Sequence, residues 1–287
     1  MLAPSTPPTG QRRIEIHQIY YSEDTRAQVD PGFIPLDNCG QRPDWREYWP
    51  IRKFLLSNTL DENTRYGFFS PKFHGKTKLD SAATKAFIDS APRDADVIAF
   101  SPFFDQGAVH LNVFEQAATN HPGIWSIFES VLSLLAPGVD PHTVLMDSRH
   151  SIFCNYFVAT PAFWRRWLEK CEVLFAIAEA NNSALAAQLN GPITYGHGFV
   201  PAKVFIIERM VSLLLMTERH WRAHHYDPVL LPMSGSIVAP FPADLLVLDA
   251  LKTAAIETGR GSYMQLFQQV RNTLMQTARN AAATRTA

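Results

Sequence analysis

Apolar and polar positions along this chain fall into blocks, and the period of each block predicts an element. Residues 12–21 (RRIEIHQIYY) are rich in β-branched and aromatic side chains and predict a first strand. Residues 65–70 (RYGFFS), 95–102 (ADVIAFSP) and 151–159 (SIFCNYFVA) predict three more. The unbroken apolar run at 95–102 predicts burial on both faces, as in a parallel sheet. The turn-rich stretch 22–45 carries Pro31-Gly32 and Asp37-Asn38 as breakers. A helix is predicted over 44–58, with Asp44 as N-cap, Glu47 at capping-box spacing and Pro50 as a kink. Others are predicted over 80–92, over 113–135 in two pieces parted at Pro122-Gly123, over 201–217, over 242–257 and over 261–280. The clearest is 160–180. Thr160 is its N-cap and Pro161 its first residue, and Phe163, Trp164, Trp167, Leu168, Cys171 and Leu174 recur on one face.

Strands alternate with helices, which implies an α/β fold with a mixed, mainly parallel sheet flanked by helices and joined by right-handed crossovers. Three segments follow from the pattern. Residues 1–13, Pro/Thr-rich, read as a disordered lead-in, 14–241 as the α/β domain and 242–287 as a C-terminal helical appendage. In that extension Lys252, Arg260, Arg271, Arg279 and Arg285 stand against Glu257. This basic face either caps the sheet, is solvated, or meets an anionic surface such as a membrane.

Composition narrows the function classes. The 287 residues are 46% hydrophobic and 18% charged, with a formal net charge of -1, so no global field argues for nucleic acid. Cys39, Cys154 and Cys171 show no CxxC spacing, which fits a reducing compartment. No apolar run approaches about 18 residues, and the N-terminus lacks the apolar segment of a signal peptide. The expected location is therefore cytoplasmic. The GxxxxGK[ST], GxGxxG, GxSxG and HExxH signatures are absent. His220 and His224 are spaced to share a helix face and hold a metal, or to be solvated or capping.

In open α/β sheets ligands bind beyond the carboxyl ends of the strands. Ser101, Phe103, Phe104 and Asp105 follow the 95–102 strand at that end, where Asp105 can hold a metal or a sugar hydroxyl. Asp94 and Asp96 precede the same strand and read as turn and lead-in residues. Asp147, Arg149 and His150 form a polar cluster ahead of 151–159, facing a substrate or making a loop. Asn155, inside the apolar run of that strand, either satisfies its amide structurally or borders a site.

The stretch 152–179 (IFCNYFVATPAFWRRWLEKCEVLFAIAE), followed by GHGFVPAKVFIIERMVSLLL (196–215), resembles glycosyltransferases of capsule and lipopolysaccharide clusters. The positions that carry it are Cys154, Asn155, Phe199, Glu208 and Arg209. PLDNCGQRPDWREYWPIRKFL (35–55) resembles the family's "DN…E…YW" helix, and YGFFSPKF (66–73) its strand followed by basic residues. The opening IHQIYY is similar to the first strand of mannosyltransferase-like GT-A enzymes, which with its following loop holds the nucleotide. The resemblance covers roughly residues 14–216. It implies a GT-A-like (Rossmann-like) fold, a nucleotide-sugar donor and a glycan or glycolipid acceptor in bacterial surface polysaccharide synthesis. The chain departs from the family at the DxD that holds Mn²⁺ or Mg²⁺ between the donor phosphates: SPFFD offers Asp105 alone. Asp105, Asp147 and Glu208 are the expected catalytic carboxylates, with Asp105 also the metal ligand. His17, Gln18, Asn38, Trp49, Lys72, Ser101, Arg149, Asn155 and Arg209 are the expected substrate-binding residues. Arg52, Lys76 and Lys78 join Lys72 and Arg149 as phosphate-neutralising candidates, and Trp45, Trp49, Phe103 and Phe104 as a sugar platform. Glu208-Arg209 is alternatively an ion pair that orients its helix. Two other functions fit the sequence: a sugar- or nucleotide-binding α/β domain without catalysis, and a structural protein that binds partners through its basic helices.

Overall fold

The protein is described by a computed structural model over residues 12–196 and 198–286. Most of the predicted lead-in, residues 1–11, lies outside the described residues, and so does the side chain of Arg285. In chain order the elements are β1 (Arg13–Tyr20), α1 (Glu23–Arg26), β2 (Ile34–Asp37), α2 (Tyr48–Ser57), β3 (Thr64–Phe69), α3 (Phe73–Thr77) and α4 (Ser81–Ser90). There follow β4 (Val97–Ala99), α5 (Phe104–Val109), α6 (Val113–Asn120), α7 (Trp125–Leu135), β5 (Phe157–Ala159), α8 (Pro161–Ala180) and α9 (Ala184–Asn190). The rest are β6 (Pro192–Tyr195), β7 (Gly198–Pro201), α10 (Ala202–Ile207), α11 (Met210–Thr217), β8 (Ala223–His225), α12 (Pro242–Thr258) and α13 (Gly261–Thr286).

Six strands form one sheet in the order β2-β1-β3-β5-β4-β8. β2, β1 and β3 are parallel to one another, and so are β4 and β8, while β5 runs antiparallel between β3 and β4. The mixed, mainly parallel α/β class expected from the alternation is therefore present. Successive residues of a strand face opposite sides. Phe68, Val97, Ala99, Phe157 and Ala159 join a core with α2, α6, α7, α8, α10 and α11, while Phe69, Ile98, Phe100 and Val158 join a second core on the other face with α3 and α4. Both faces are covered, which is why these strands read as unbroken apolar runs.

α8 is the main brace. Thr160 has the extended backbone of an N-cap and Pro161 sits in the first turn, although the Thr160 side chain makes no capping bond. Trp164 and Trp167 are fully buried, and the Trp164 indole donates to the Tyr66 carbonyl at 2.8 Å. Truncating such a tryptophan to alanine costs about 3–5 kcal/mol.

Several elements differ from their predicted forms. The strand expected at 151–159 is only 157–159, because Cys154 (φ 64°) and Asn155 (φ 54°) take the left-handed conformation and turn the chain sharply before β5. The helix expected from Asp44 starts at Tyr48: Asp44 instead accepts from Arg42 and, at 2.8 Å, from Lys203. Pro50 then lies in the first turn, where it breaks no hydrogen bond. The helix expected at 201–217 divides at Glu208-Arg209 into α10 and α11. His224 and His225 lie on the sheet-edge strand β8, so the helical metal-binding pair with His220 does not form.

The C-terminal helices α12 and α13 build a third core against α5, around Phe104, Val109, Leu245, Leu248 and Phe267. Two of the basic residues expected on a solvated or membrane-facing surface point inward. The buried Lys252 ammonium donates to the carbonyls of Gly107 (2.6 Å), His110 (2.9 Å) and Met146 (2.7 Å), and Arg271 pairs with Glu115 at 2.7 Å. Among the described residues no helix is long and apolar enough to cross a membrane.

Candidate functional site

The carboxyl ends of the parallel strands β1 and β3 and the amino-terminal start of the reversed β5 lie at the same end of the sheet. A cavity of about 390 Å³ opens there. Its walls come from segments far apart in sequence. Tyr21, Thr25 and Gln28 follow β1, and Arg46 and Glu47 precede α2. Ser70, Pro71, Lys72 and Lys76 follow β3, and Cys154 stands before β5. His121 ends α6, Tyr195 and Val200 come from the β6–β7 hairpin, and Val204, Phe205 and Glu208 from α10 and its end. The volume is that of a small-molecule site.

The electrostatics are mixed, with cations and carboxylates in one enclosure. Lys76 Nζ donates to Cys154 Sγ at 3.1 Å. Burial works against the Lys76 charge, but Cys154 and Glu208 outweigh it and hold the ammonium above the usual lysine value. Burial also pushes the Cys154 thiol up to about 11 against the pull of Lys76, so the pair at neutral pH is ammonium and thiol. The Glu47 carboxyl is raised, first by burial and then by the like charge of Glu208. Glu208 itself is held by Arg209, whose buried guanidinium donates to it at 2.9 Å, to the Phe205 carbonyl at 3.1 Å and to Gln116 at 3.0 Å. The two carboxylates thus sit in unlike surroundings, Glu47 raised by burial and Glu208 ion-paired with Arg209. Burial raises the Tyr21 phenol, and the negative charge of Glu47 adds to it. Neither the Tyr21 hydroxyl nor His121 Nδ1, both buried atoms, has a hydrogen-bond partner among the described residues.

Of the residues expected at a site, the cavity contains Lys72 and Glu208, with Arg209 directly behind Glu208. Lys76, a phosphate candidate, and Cys154, a position of the resemblance, also line it. Asn155 is buried next to Cys154 but does not line the cavity. Its backbone takes the left-handed conformation, which asparagine tolerates better than most residues, and its buried Oδ1 has no hydrogen-bond partner among the described residues. Phe199 points to solvent, 73% exposed, on the outer side of the hairpin.

The remaining candidates are engaged elsewhere. The buried Asp105 accepts from the Ser234 amide (2.8 Å), the Ser234 hydroxyl and the Ser236 hydroxyl (2.5 Å), so both its oxygens are taken up in fixing the 234–236 loop. That set of partners does not suit a resident divalent ion at Asp105. Asp147 is fully buried and accepts from Arg149, from His150 Nδ1 (2.8 Å) and from Thr253 (2.8 Å). Burial opposes its charge, but His150 and Arg149 prevail and hold the carboxyl well below the usual range. Arg149 also reaches Glu257 at 2.7 Å, so the 147–150 loop anchors α12. The Ser101 hydroxyl bridges Ser151 and Phe153. Gln18 accepts from the Asp30 amide at 2.8 Å and shapes the loop after β1. Buried His17 packs between Phe54 and Phe68, with its pKa lowered to about 4 by burial. Trp49 stacks on Phe175 under Arg42 and Arg52, and Arg52 is paired with Glu172 at 2.6 Å. Asn38 is buried at the end of β2, and both its amide atoms lack partners among the described residues. Trp45 and Phe104, expected in a sugar platform, are core residues. The aromatic residues that line the cavity are Tyr21, Tyr195, Phe205 and His121 instead. No protein family, curated protein or solved structure matches the chain.

Proposed function

We propose that the protein is a nucleotide-sugar-dependent glycosyltransferase of surface polysaccharide synthesis, with the cavity beyond β1 and β3 as its donor site. The observation that carries the reading is the grouping of Arg46, Lys72 and Lys76 with Glu47 and Glu208 in one cavity at the carboxyl ends of parallel strands. The position is where open α/β sheets bind ligands, and the cavity draws on each segment in which the sequence resembles capsule and lipopolysaccharide glycosyltransferases.

The chemistry follows from these groups. Transfer forms a bond between the acceptor oxygen and the anomeric carbon and breaks the bond from that carbon to the diphosphate. The diphosphate leaves as an anion, and Lys72, Lys76 and Arg46 supply positive charge for it. The acceptor hydroxyl loses its proton to a carboxylate, for which Glu47 and Glu208 are placed. Tyr21, Thr25 and Gln28, on the segment after β1 that includes α1, face the nucleoside. In this scheme Asp105 and Asp147 are framework residues, and a divalent ion, if the reaction uses one, is held by groups other than Asp105.

Incubating the protein with a panel of nucleotide-sugars, with and without Mn²⁺, and following release of free nucleotide tests the proposal. Turnover that disappears in Lys76→Met and survives in Asp105→Ala is expected. Thermal stabilisation by nucleotide without turnover would leave a binding domain, and no response to any nucleotide would refute both readings.

A further inference from the structure

The lining of the cavity is of two kinds. The residues that follow β1 and β3 are mostly polar or cationic. The others include a group of rings: His121 lies 4.0 Å from Phe205, and Tyr195 lies 5.6 Å from Phe205 and 6.1 Å from His121, centroid to centroid. The β6–β7 hairpin sets this up through its register. Cross-strand partners share a face, so Ile193–Val200 and Tyr195–Gly198 form the inner side, while Thr194–Phe199 forms the outer side. Ile193 and Val200 are buried and hold the hairpin down. Opposite Tyr195 stands Gly198, and the space a Cβ would take there is open. The Tyr195 ring is therefore left without a cross-strand cover, 49% exposed at the rim of the cavity.

A polar atom accompanies this open ring. His121 is 8% exposed, lines the cavity, and has a buried Nδ1 without a partner among the described residues. Burial, with Arg209 nearby, holds its pKa below the usual value despite the Thr194 carbonyl, so the imidazole is neutral. An uncovered aromatic face beside an unsatisfied buried nitrogen suits a ligand that is apolar on one face and hydroxylated at its edge. That is the chemistry of a pyranose ring.

We propose that the Tyr195–Phe205–His121 wall is a carbohydrate subsite that holds the acceptor sugar, with Tyr195 as its stacking platform and His121 Nδ1 as a hydroxyl partner. The assignment rests on the glycosyltransferase reading for the word acceptor, but not for the binding of a sugar ring. Two observations favour the acceptor here over the nucleobase. The wall opens to solvent at Tyr195, and Glu208, at the end of α10, lines the same cavity close enough to His121 to act on its charge. An acceptor chain entering past the hairpin would bring a hydroxyl to that carboxylate.

Saturation-transfer NMR with methyl α-mannoside, methyl β-galactoside and methyl β-glucoside reads this site without requiring turnover. UDP and GDP affinities are measured by calorimetry on the same samples. At least one glycoside is expected to bind the wild type, and Tyr195→Ala, a change at a rim position, is expected to weaken it roughly five- to tenfold, the scale of one aromatic contact. Tyr195→Phe, which keeps the ring, is expected to bind like wild type, and nucleotide affinity is expected to stay within twofold in both variants. No glycoside binding, or equal binding in Tyr195→Ala, overturns the assignment. So does a loss confined to nucleotide affinity, which would make this wall the nucleobase site. Glycoside binding without any nucleotide binding would leave the subsite standing and sink the glycosyltransferase reading.

Discussion

Lys76 Nζ lies 3.1 Å from Cys154 Sγ at the wall of the cavity, joining the segment after β3 to the strained turn before β5. Cys154 takes a left-handed backbone that a β-branched or bulky residue would resist, and such strain concentrates at functional sites. The thiol, raised to about 11 by burial, is pulled back toward lower values by Lys76. Lys76→Met removes that pull. Iodoacetamide labelling of Cys154 at pH 9, followed by peptide mass spectrometry, is therefore expected to be slower in Lys76→Met than in wild type. Faster labelling would mean that the lysine shields the sulfur and does not polarise it.

Asp147 was a candidate base and is instead a hub. Asp147→Asn keeps the volume, but leaves Arg149 and His150 without their carboxylate and weakens the Thr253 bond to α12. A loss of about 2–4 kcal/mol in denaturant unfolding is expected, in the range for breaking a buried charged pair. Any turnover by the folded fraction should keep its wild-type kcat. A normal melting curve with abolished turnover would return Asp147 to the catalytic list.

Lys252 makes a parallel case for the C-terminal helices. Its ammonium, lowered to about 8 by burial, satisfies the carbonyls of Gly107, His110 and Met146. Lys252→Met fills the space but orphans three buried acceptors. A loss of about 3 kcal/mol is expected from urea unfolding at pH 7. An unchanged midpoint would mean that α12 is dispensable to the core of α5.

These examples show which parts of the fold could be read from the sequence. Local chemistry was legible: the Thr160-Pro161 start of α8, the break at Pro122-Gly123 between α6 and α7, and the doubly buried strand at 97–99 all follow from residue types within one turn or one strand. Pairings between distant segments were not. Nothing near Lys252 announces that it will reach 145 residues back to Gly107. Nothing in DSRH distinguishes a loop that anchors α12 from one that faces a substrate. The site suffered in the same way. Glu208 and Arg209 follow from the resemblance and Lys72 from the basic residues after the 65–70 strand, whereas Tyr21, Gln28, His121 and Tyr195 become neighbours only when the segment after β1, the end of α6 and the β6–β7 hairpin meet at the cavity. The hairpin itself escaped because its strands have four residues each, too short for a period-2 signal.

Acid should destabilise the fold through His17. Its pKa is lowered to about 4 by burial between Phe54 and Phe68, against roughly 6.5 in an unfolded chain. The folded-state value is the lower one, so the unfolded state binds more protons between these limits. The contribution is therefore fully present above about pH 6.5 and is lost as pH falls toward 4, to a total of about 3 kcal/mol. His17→Phe, which keeps a ring in the stack, is expected to flatten the fall in unfolding free energy across that window by close to one proton. An identical pH slope in wild type and variant would place the acid sensitivity elsewhere, for instance at His225, also lowered to about 4.

The two cavity carboxylates give the sharpest test of mechanism. Glu47 is raised by burial and by Glu208, so if it accepts the acceptor proton, the acidic limb of kcat/KM should lie above the ordinary glutamate value of about 4.3. Glu208→Gln removes the like charge while leaving an oxygen for the Arg209 guanidinium, which donates to Glu208 at 2.9 Å. With the repulsion gone, Glu47 ionises more readily, and the limb is expected to move to lower pH. Glu47→Gln should abolish the limb and cut kcat by roughly 10²–10⁴, the usual contribution of a general base. The variants distinguish roles because they act in different ways, one shifting a profile and the other removing it. If Glu208→Gln removes the limb and Glu47→Gln only shifts it, the roles are reversed and Glu208 is the base. If neither changes the profile, proton transfer does not pass through this pair.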